Sequence, residues 1–292
     1  MRARLALGGG GVRGFFHLGL LSELQKAGVE IEALAGTSAG ALAAAAYAFG
    51  LPLEVEPILE ATKDPELLRL SHAGRLQSGI LLLRGLRKPA LASNHRYREG
   101  LRRLFQEARL EDAPLPVVLL AADLLTGEPV YLRRGPVVDA VLASSSIPGV
   151  FPPLEHGDRL LVDGDVVEKV PTSALLDLGN APLVAVDVSN PEPKNPPQNS
   201  LEAALLAGEA SRRRLKALAL ERAEIVVSIS LDAPIDTFDF HRAEDVYQQG
   251  RETAPWLIEQ LARRRGRRLF GWLGKAKEPK RKQPGRQQSP AR

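Results

Sequence analysis

Residues 33–49 read Ala-Leu-Ala-Gly-Thr-Ser-Ala-Gly-Ala-Leu-Ala-Ala-Ala-Ala-Tyr-Ala-Phe. Residues 33–35 fit a short buried strand and residues 39–49 an alanine-rich helix ending at Gly50-Leu-Pro. Gly36-Thr37-Ser38-Ala39-Gly40 is then the turn between them. A nucleophilic serine needs a sharp turn that exposes its hydroxyl, with glycines such as Gly36 and Gly40 keeping neighbouring side chains away. An ordinary strand–helix turn reads the same way, so the pentapeptide alone decides nothing. The charge-free stretch 33–53 is long enough for a membrane span. Its three glycines, one proline and run of alanines make it too weakly apolar, and strand, turn and core helix is the better reading.

Upstream, residues 5–7 form a first strand, and Gly9, Gly10, Gly11, Val12, Arg13 and Gly14 lead from it into a helix that stops at Gly28. Consecutive glycines let backbone N–H groups converge on one anionic point, aided by the positive end of the helix. The spacing also matches a dinucleotide fingerprint, but that needs an acid at the carboxyl end of the second strand. Glu30 and Glu32 precede that strand, and Gly-Thr-Ser follows it. Consecutive strands usually lie side by side. The glycine loop then stands beside Ser38, with donors for the oxyanion that attack by a serine creates. Gly10 is expected to hold a backbone conformation costly for other residues.

Downstream, strands are expected at 117–123, 130–132, 159–163, 183–188 and 225–231, with 126–128 as a turn. Helices are expected at 136–143, from Ser200 (as its cap) to about 222, and from 242 to about 266. Strands alternating with helices give an α/β fold. The chain has 292 residues, 44% apolar and 25% charged, and no cysteine, so disulfides and thiolate chemistry are excluded. Its five histidines (17, 72, 95, 156, 241) show no metal-ligand spacing. A histidine triad would need His241, which has no motif around it.

Leu160-Leu-Val-Asp163-Gly164-Asp165 ends a strand in a glycine turn. Asp163 there is either a plain turn residue or a base that hydrogen-bonds the serine directly. Three segments together, Gly-Gly-Gly-Val-Arg-Gly at 9–14, Gly-Thr-Ser-Ala-Gly at 36–40 and Asp-Gly at 163–164, resemble the patatin-like phospholipase family, close to its neuropathy-target-esterase branch. Residues 122–128, 143–153 and 163–171 add to the likeness, which spans roughly 4–260. The resemblance implies a three-layer α/β fold, with a mostly parallel sheet and helices on both faces. It also implies a Ser38–Asp163 dyad, an oxyanion hole from the amides of Gly9 to Gly11 with Arg13 fixing the loop, and a lipid or acyl-ester substrate. It implies no metal and no cofactor. Where the family has Gly or Ala after the Asp-Gly pair, this chain has Asp165. A second carboxylate there either raises the pKa of Asp163 or points into solvent. A weakly active, regulatory scaffold is the competing reading.

The domain is expected to cover 1–262. Within it, 64–111 reads as a helical cap that mixes leucines with arginines, or as an ordinary helical layer. Residues 263–292 carry 12 of the 39 Lys and Arg but one of the 35 acids, leaving net −7 on the rest. Residues 263–292 read as a basic, disordered C-terminal tail, most plainly beyond Gly274, where the composition is Lys, Arg, Pro and Gln. Such a tail suits an anionic membrane surface, nucleic acid less well, or mere solubility. The short apolar start is no signal peptide, so a cytoplasmic location is expected, with peripheral membrane attachment through the tail.

Overall fold

The computed structural model describes residues 1–64, 90–193 and 195–275. Its strands are β1 Arg2–Leu7, β2 Glu30–Thr37, β3 Val117–Asp123, β4 Pro129–Leu132, β5 Leu154–His156, β6 Arg159–Asp163, β7 Leu183–Asp187 and β8 Ile225–Ser228. Its helices, in our numbering, are α1 Phe15–Lys26, α2 Ala39–Ala48, α3 Val55–Thr62, α4 His95–Phe105, α5 Val137–Ser144, α6 Ser200–Leu220 and α7 Ala243–Lys275.

The strands form one sheet ordered β5-β6-β3-β2-β1-β7-β8, with β4 also pairing β3. The four pairs from β3 through β2 and β1 to β7 and β8 are parallel, and β4, β5 and β6 add antiparallel pairs. Alternation along the strands serves two faces. Leu5, Leu7 and Leu34 join the main core with α1, α2, α5 and α7. Ala6, Ala33 and Ala35 face a second cluster with Ala174 and Leu175 of the 3-10 turn Thr172–Leu175, against which the end of α6 packs. The molecule is the three-layer α/β fold expected, with a thin second layer.

The registers along β3 position the site. Leu119 to Ala122 pair with β4 on one edge. On the other edge β2 occupies Val117 to Leu120, and β6 takes over at Ala121 to Asp123 from the opposite direction. Thr37 therefore lies against Leu120 and Asp163 against Ala121. Two strands far apart in sequence end head to head.

Several boundaries differ from expectation. The cap of α6 is Asn199, whose side chain accepts the Glu202 N–H at 2.9 Å; Ser200 is already helical. Strand β8 stops at Ser228. Helix α7 begins after a 3-10 turn, Phe240–Arg242, and runs to Lys275, so residues 263–275 are helical and not a disordered tail. The supposed cap falls largely on residues 65–89, outside the described residues, as do 276–292. Of the cap, α4 is described: it packs against α3 and α5, and Arg98 pairs with Asp139 of α5 at 2.6 Å.

Candidate active site

Ser38 closes β2 and precedes α2. Its φ of 56° and ψ of −123° put a non-glycine residue in a sparsely populated region, and strain of this kind concentrates at functional turns. The turn is tight enough to need glycine on both sides. A Cβ on Gly40 would sit 2.1 Å from the Leu7 carbonyl oxygen, and one on Gly36 2.3 Å from that of Gly40. The Ser38 N–H donates to Ser144 Oγ at 2.9 Å, and Ser144 Oγ in turn donates to the Leu120 carbonyl at 2.5 Å. The end of α5 thus fixes the elbow to β3.

Asp163 is 3% exposed. Its N–H donates to the Ser146 carbonyl at 2.9 Å, and its Oδ1 accepts the Asp165 N–H at 2.9 Å. Burial pushes its carboxyl up to about 7, and the nearby Asp165 adds to this. A hydrogen bond from the Ser38 side chain, the Asp165 N–H and the charge of Lys169 pull the other way. Asp165 therefore acts on Asp163 and does not merely face solvent; its Oδ2 accepts from Lys169 Nζ at 3.0 Å. Tyr97 of α4 closes this side, its hydroxyl 3.4 Å from Ser145 Oγ. Burial raises its phenol to about 12, with Asp163 contributing.

Among the glycine-loop amides, Gly9 donates to the Lys169 carbonyl at 3.0 Å, Val12 to Thr237 at 2.9 Å and Arg13 to Gly10 at 3.2 Å. Gly9 is therefore not a free donor, and the amides of Gly10 and Gly11 are those left without an acceptor among the described residues. Gly10 has a φ of −179° and is not left-handed; it is confined by Val188, whose Cγ2 lies 2.7 Å from where a Cβ would stand. The positive φ, 58°, belongs to Gly11. Arg13 is buried and pins the loop through Nε to the Val188 carbonyl (2.8 Å) and Nη1 to that of Ile235 (2.5 Å). Burial lowers its pKa, and Asp165 is the first of the acids that oppose this. Behind the loop, His17 Nε2 bonds the Gly8 carbonyl at 2.8 Å; burial drops this imidazole to about 4, so it is neutral.

Ser38 opens into a cavity of about 670 Å³ including its mouth. Leu18, Leu42, Ile58, Phe151 and Phe238 line it, and Tyr97 stacks on Phe151 with centroids 6.4 Å apart. His241 is exposed and makes no hydrogen bond to Ser38 or Asp163. The described residues contain no cluster of metal-binding side chains. No helix among them is long and apolar enough to cross a membrane.

The fold thus brings Ser38, Asp163, Gly164, Asp165 and the loop 9–14 to one place. Sequence reasoning missed Ser144, Ser145, Ser146, Tyr97, His17 and Lys169. The run of three serines was visible only as part of a resemblance, because its role lies in hydrogen bonds to β3, β6 and α4.

The model of the patatin-like phospholipase family matches residues 5–176. An NTE family protein of Mycobacterium tuberculosis is 31% identical over 191 residues, 65% of this chain and 50% of its own. Lysophospholipase nte1 of Aspergillus fumigatus is 27% identical over 289 residues, 88% of this chain and 18% of its own. The chain thus spans half the length of the one and less than a fifth of the other. VipD of Legionella pneumophila is similar in structure, with a TM-score of 0.49 and 14% identity over 89% of this chain and 67% of that one. With its family model matched from the first strand to beyond the Asp-Gly turn, the chain belongs to the patatin-like phospholipase family.

Proposed function

We propose that this chain hydrolyses acyl esters of lipids through a Ser38–Asp163 dyad. The observation that carries this reading is the head-to-head meeting of β2 and β6 along β3, which sets a strained serine beside a buried carboxyl at the foot of an apolar cavity. Asp163 takes the hydroxyl proton as Ser38 Oγ attacks the ester carbonyl carbon. The oxyanion so formed is held by the N–H groups of Gly10 and Gly11, the amides of the loop that have no acceptor among the described residues. Collapse leaves an acyl-serine and passes the proton from Asp163 to the departing alcohol. Asp163 then activates water, which releases the fatty acid and restores Ser38. The cavity walls suit an acyl chain. No step calls for a metal or a cofactor.

The test is hydrolysis of a short nitrophenyl ester and of a lysophospholipid by purified protein, with Ser38→Ala and Asp163→Asn alongside. Both substitutions should remove nearly all turnover, and a fluorophosphonate should label the unmodified protein but not Ser38→Ala. Undiminished turnover in Ser38→Ala would sink the reading. An unmodified protein that is neither labelled nor active would favour the regulatory scaffold. We further propose that the cationic C-terminal stretch draws the domain to an anionic lipid surface, where such substrates reside.

A further inference from the structure

The segment after the Asp-Gly turn touches both the serine elbow and the glycine loop. The Glu168 carbonyl accepts the Thr37 hydroxyl at 3.1 Å, one residue before Ser38. The Lys169 carbonyl accepts the Gly9 N–H at 3.0 Å, at the root of the oxyanion loop. The Lys169 side chain reaches back to Asp165 Oδ2 at 3.0 Å, with the two side chains 11% and 26% exposed. Asp165 donates its own N–H to Asp163 Oδ1, while its Oδ1 is buried with no hydrogen-bond partner among the described residues. A carboxylate half sealed from water, with one oxygen unpartnered, is costly unless a cation stands against it. Glu168 does not compete for that cation, since its carboxylate is engaged by Thr172, Ser173 and Arg222.

We propose that Lys169 and Asp165 form a positioning pair for the dyad. The ammonium anchors the Asp165 side chain, which keeps the Asp165 N–H on Asp163 Oδ1 and leaves Oδ2 for the serine. The same residue's carbonyl ties the oxyanion loop to this turn. The inference rests on the Ser38–Asp163 reading above. The groups facing Asp163 are Ser38 from the elbow, Tyr97 from α4, and Asp165 and Lys169 from its own turn; Arg13 of the glycine loop faces Asp165. Of these charges, Asp165 disfavours an ionised Asp163 and Lys169 favours it. Lys169 therefore offsets the charge that the unusual aspartate brings, and the base stays usable near neutral pH.

The experiment is the pH dependence of kcat/KM on a short water-soluble ester, which reports ionisations of the free enzyme. Lys169→Met should move the acid limb up by about one pH unit, the lower end of what a neighbouring charge does. Asp165→Asn should move it down, and Lys169→Arg should leave it in place. In the Asp165→Asn background the upward shift from Lys169→Met should shrink but not vanish, because the ammonium still acts on Asp163 directly but is no longer held at the turn by the Asp165 carboxylate. A merely structural ion pair would lower stability or turnover without moving the limb. Equal shifts by Lys169→Met in both backgrounds, or none in either, overturn the pair. If Lys169→Met does not fold, Asp165→Asn decides alone: an unmoved limb overturns the inference. Turnover surviving in Ser38→Ala overturns the dyad reading and this inference with it. An inactive Ser38→Ala beside insensitive pair variants overturns this inference only.

Discussion

On the proposed mechanism Asp163 has two conflicting duties, to lie in a core and to carry charge. Its folded value of about 7 stands above the ordinary 3.8, so ionising it disfavours the folded state. That cost is absent below about pH 4, grows as pH rises between the two values, and is complete above about 7. Asp163→Asn keeps an acceptor for the Asp165 N–H and removes the charge. The variant should be inactive yet more stable at pH 8 by on the order of 2–4 kcal/mol, seen as a higher melting temperature, with the gain vanishing near pH 4. Equal melting temperatures at pH 8 would mean that Asp163 ionises freely. On the proposed mechanism, the same shift should set the acid limb of turnover by the unmodified protein near pH 7. Gly10→Val would drive a side chain into Val188 and displace the free donors. Turnover should fall by at least about 10²-fold, the usual loss for one oxyanion donor. At this scale the sequence was legible where one side chain has one job. Ser38 and Asp163 stood out because the segments 9–14, 36–40 and 163–164 occur together; each alone read equally as an ordinary turn. Ser144, Tyr97 and Lys169 did not, since nothing next to them in the chain hints at the partner that gives them a role.

At the scale of elements, the proposed dyad rests on strand ends that meet without a bridging residue between them. Strand β3 serves as a ruler: β2 ends beside Leu120 and β6 beside Ala121, and α5 locks the junction from above. The strand segments themselves were readable from their apolar runs. That β6 pairs antiparallel on the same edge as β2 was not, because pairing partners and direction follow from tertiary packing rather than from local pattern. Helix α7 likewise outran its sequence reading. An arginine run looks like a solvated tail, yet arginine is a good helix former and charge alone does not end a helix. Ser144, the last residue of α5, is fully buried and holds the Ser38 N–H and the Leu120 carbonyl together. Ser144→Ala leaves both without that partner. It should cost about 1–3 kcal/mol in chemical denaturation and lower kcat more than it raises KM, because the elbow loosens while the cavity stays. A variant as active and stable as the original would show that the Ser144 bridge is not needed.

Across the whole molecule, the cationic cluster and the proposed site lie in different parts of the chain. The proposed dyad and its loops fall between residues 9 and 169, whereas 12 cations and one acid fall in 263–292, against net −7 elsewhere. Helix α7 is held to the body by Ala254, Leu257 and Leu261, and Arg264 still reaches Glu224, donating to its carbonyl at 2.5 Å. A chain cut after Arg264 therefore keeps these contacts and loses ten of the twelve cations, together with Phe270, Trp272 and Leu273. Each lysine or arginine near an anionic surface contributes about 1 kcal/mol, attenuated beyond a Debye length of about 10 Å. Engagement of roughly half of the ten would add about 5 kcal/mol, a few thousandfold in partitioning, before any aromatic insertion. The body, being net acidic, is repelled by the same surface. The cut protein should thus fail to sediment with anionic vesicles at low salt and yet hydrolyse a short soluble ester at the full rate. The full chain should bind those vesicles, release them as salt rises, and show a blue shift in Trp272 fluorescence, with Trp256 as the constant background. Equal sedimentation of the two proteins would remove the membrane role. Tighter binding of the full chain to duplex DNA than to vesicles, at one ionic strength, would reassign the tail to nucleic acid, since phosphate recruits the same cations without needing the aromatic residues among them.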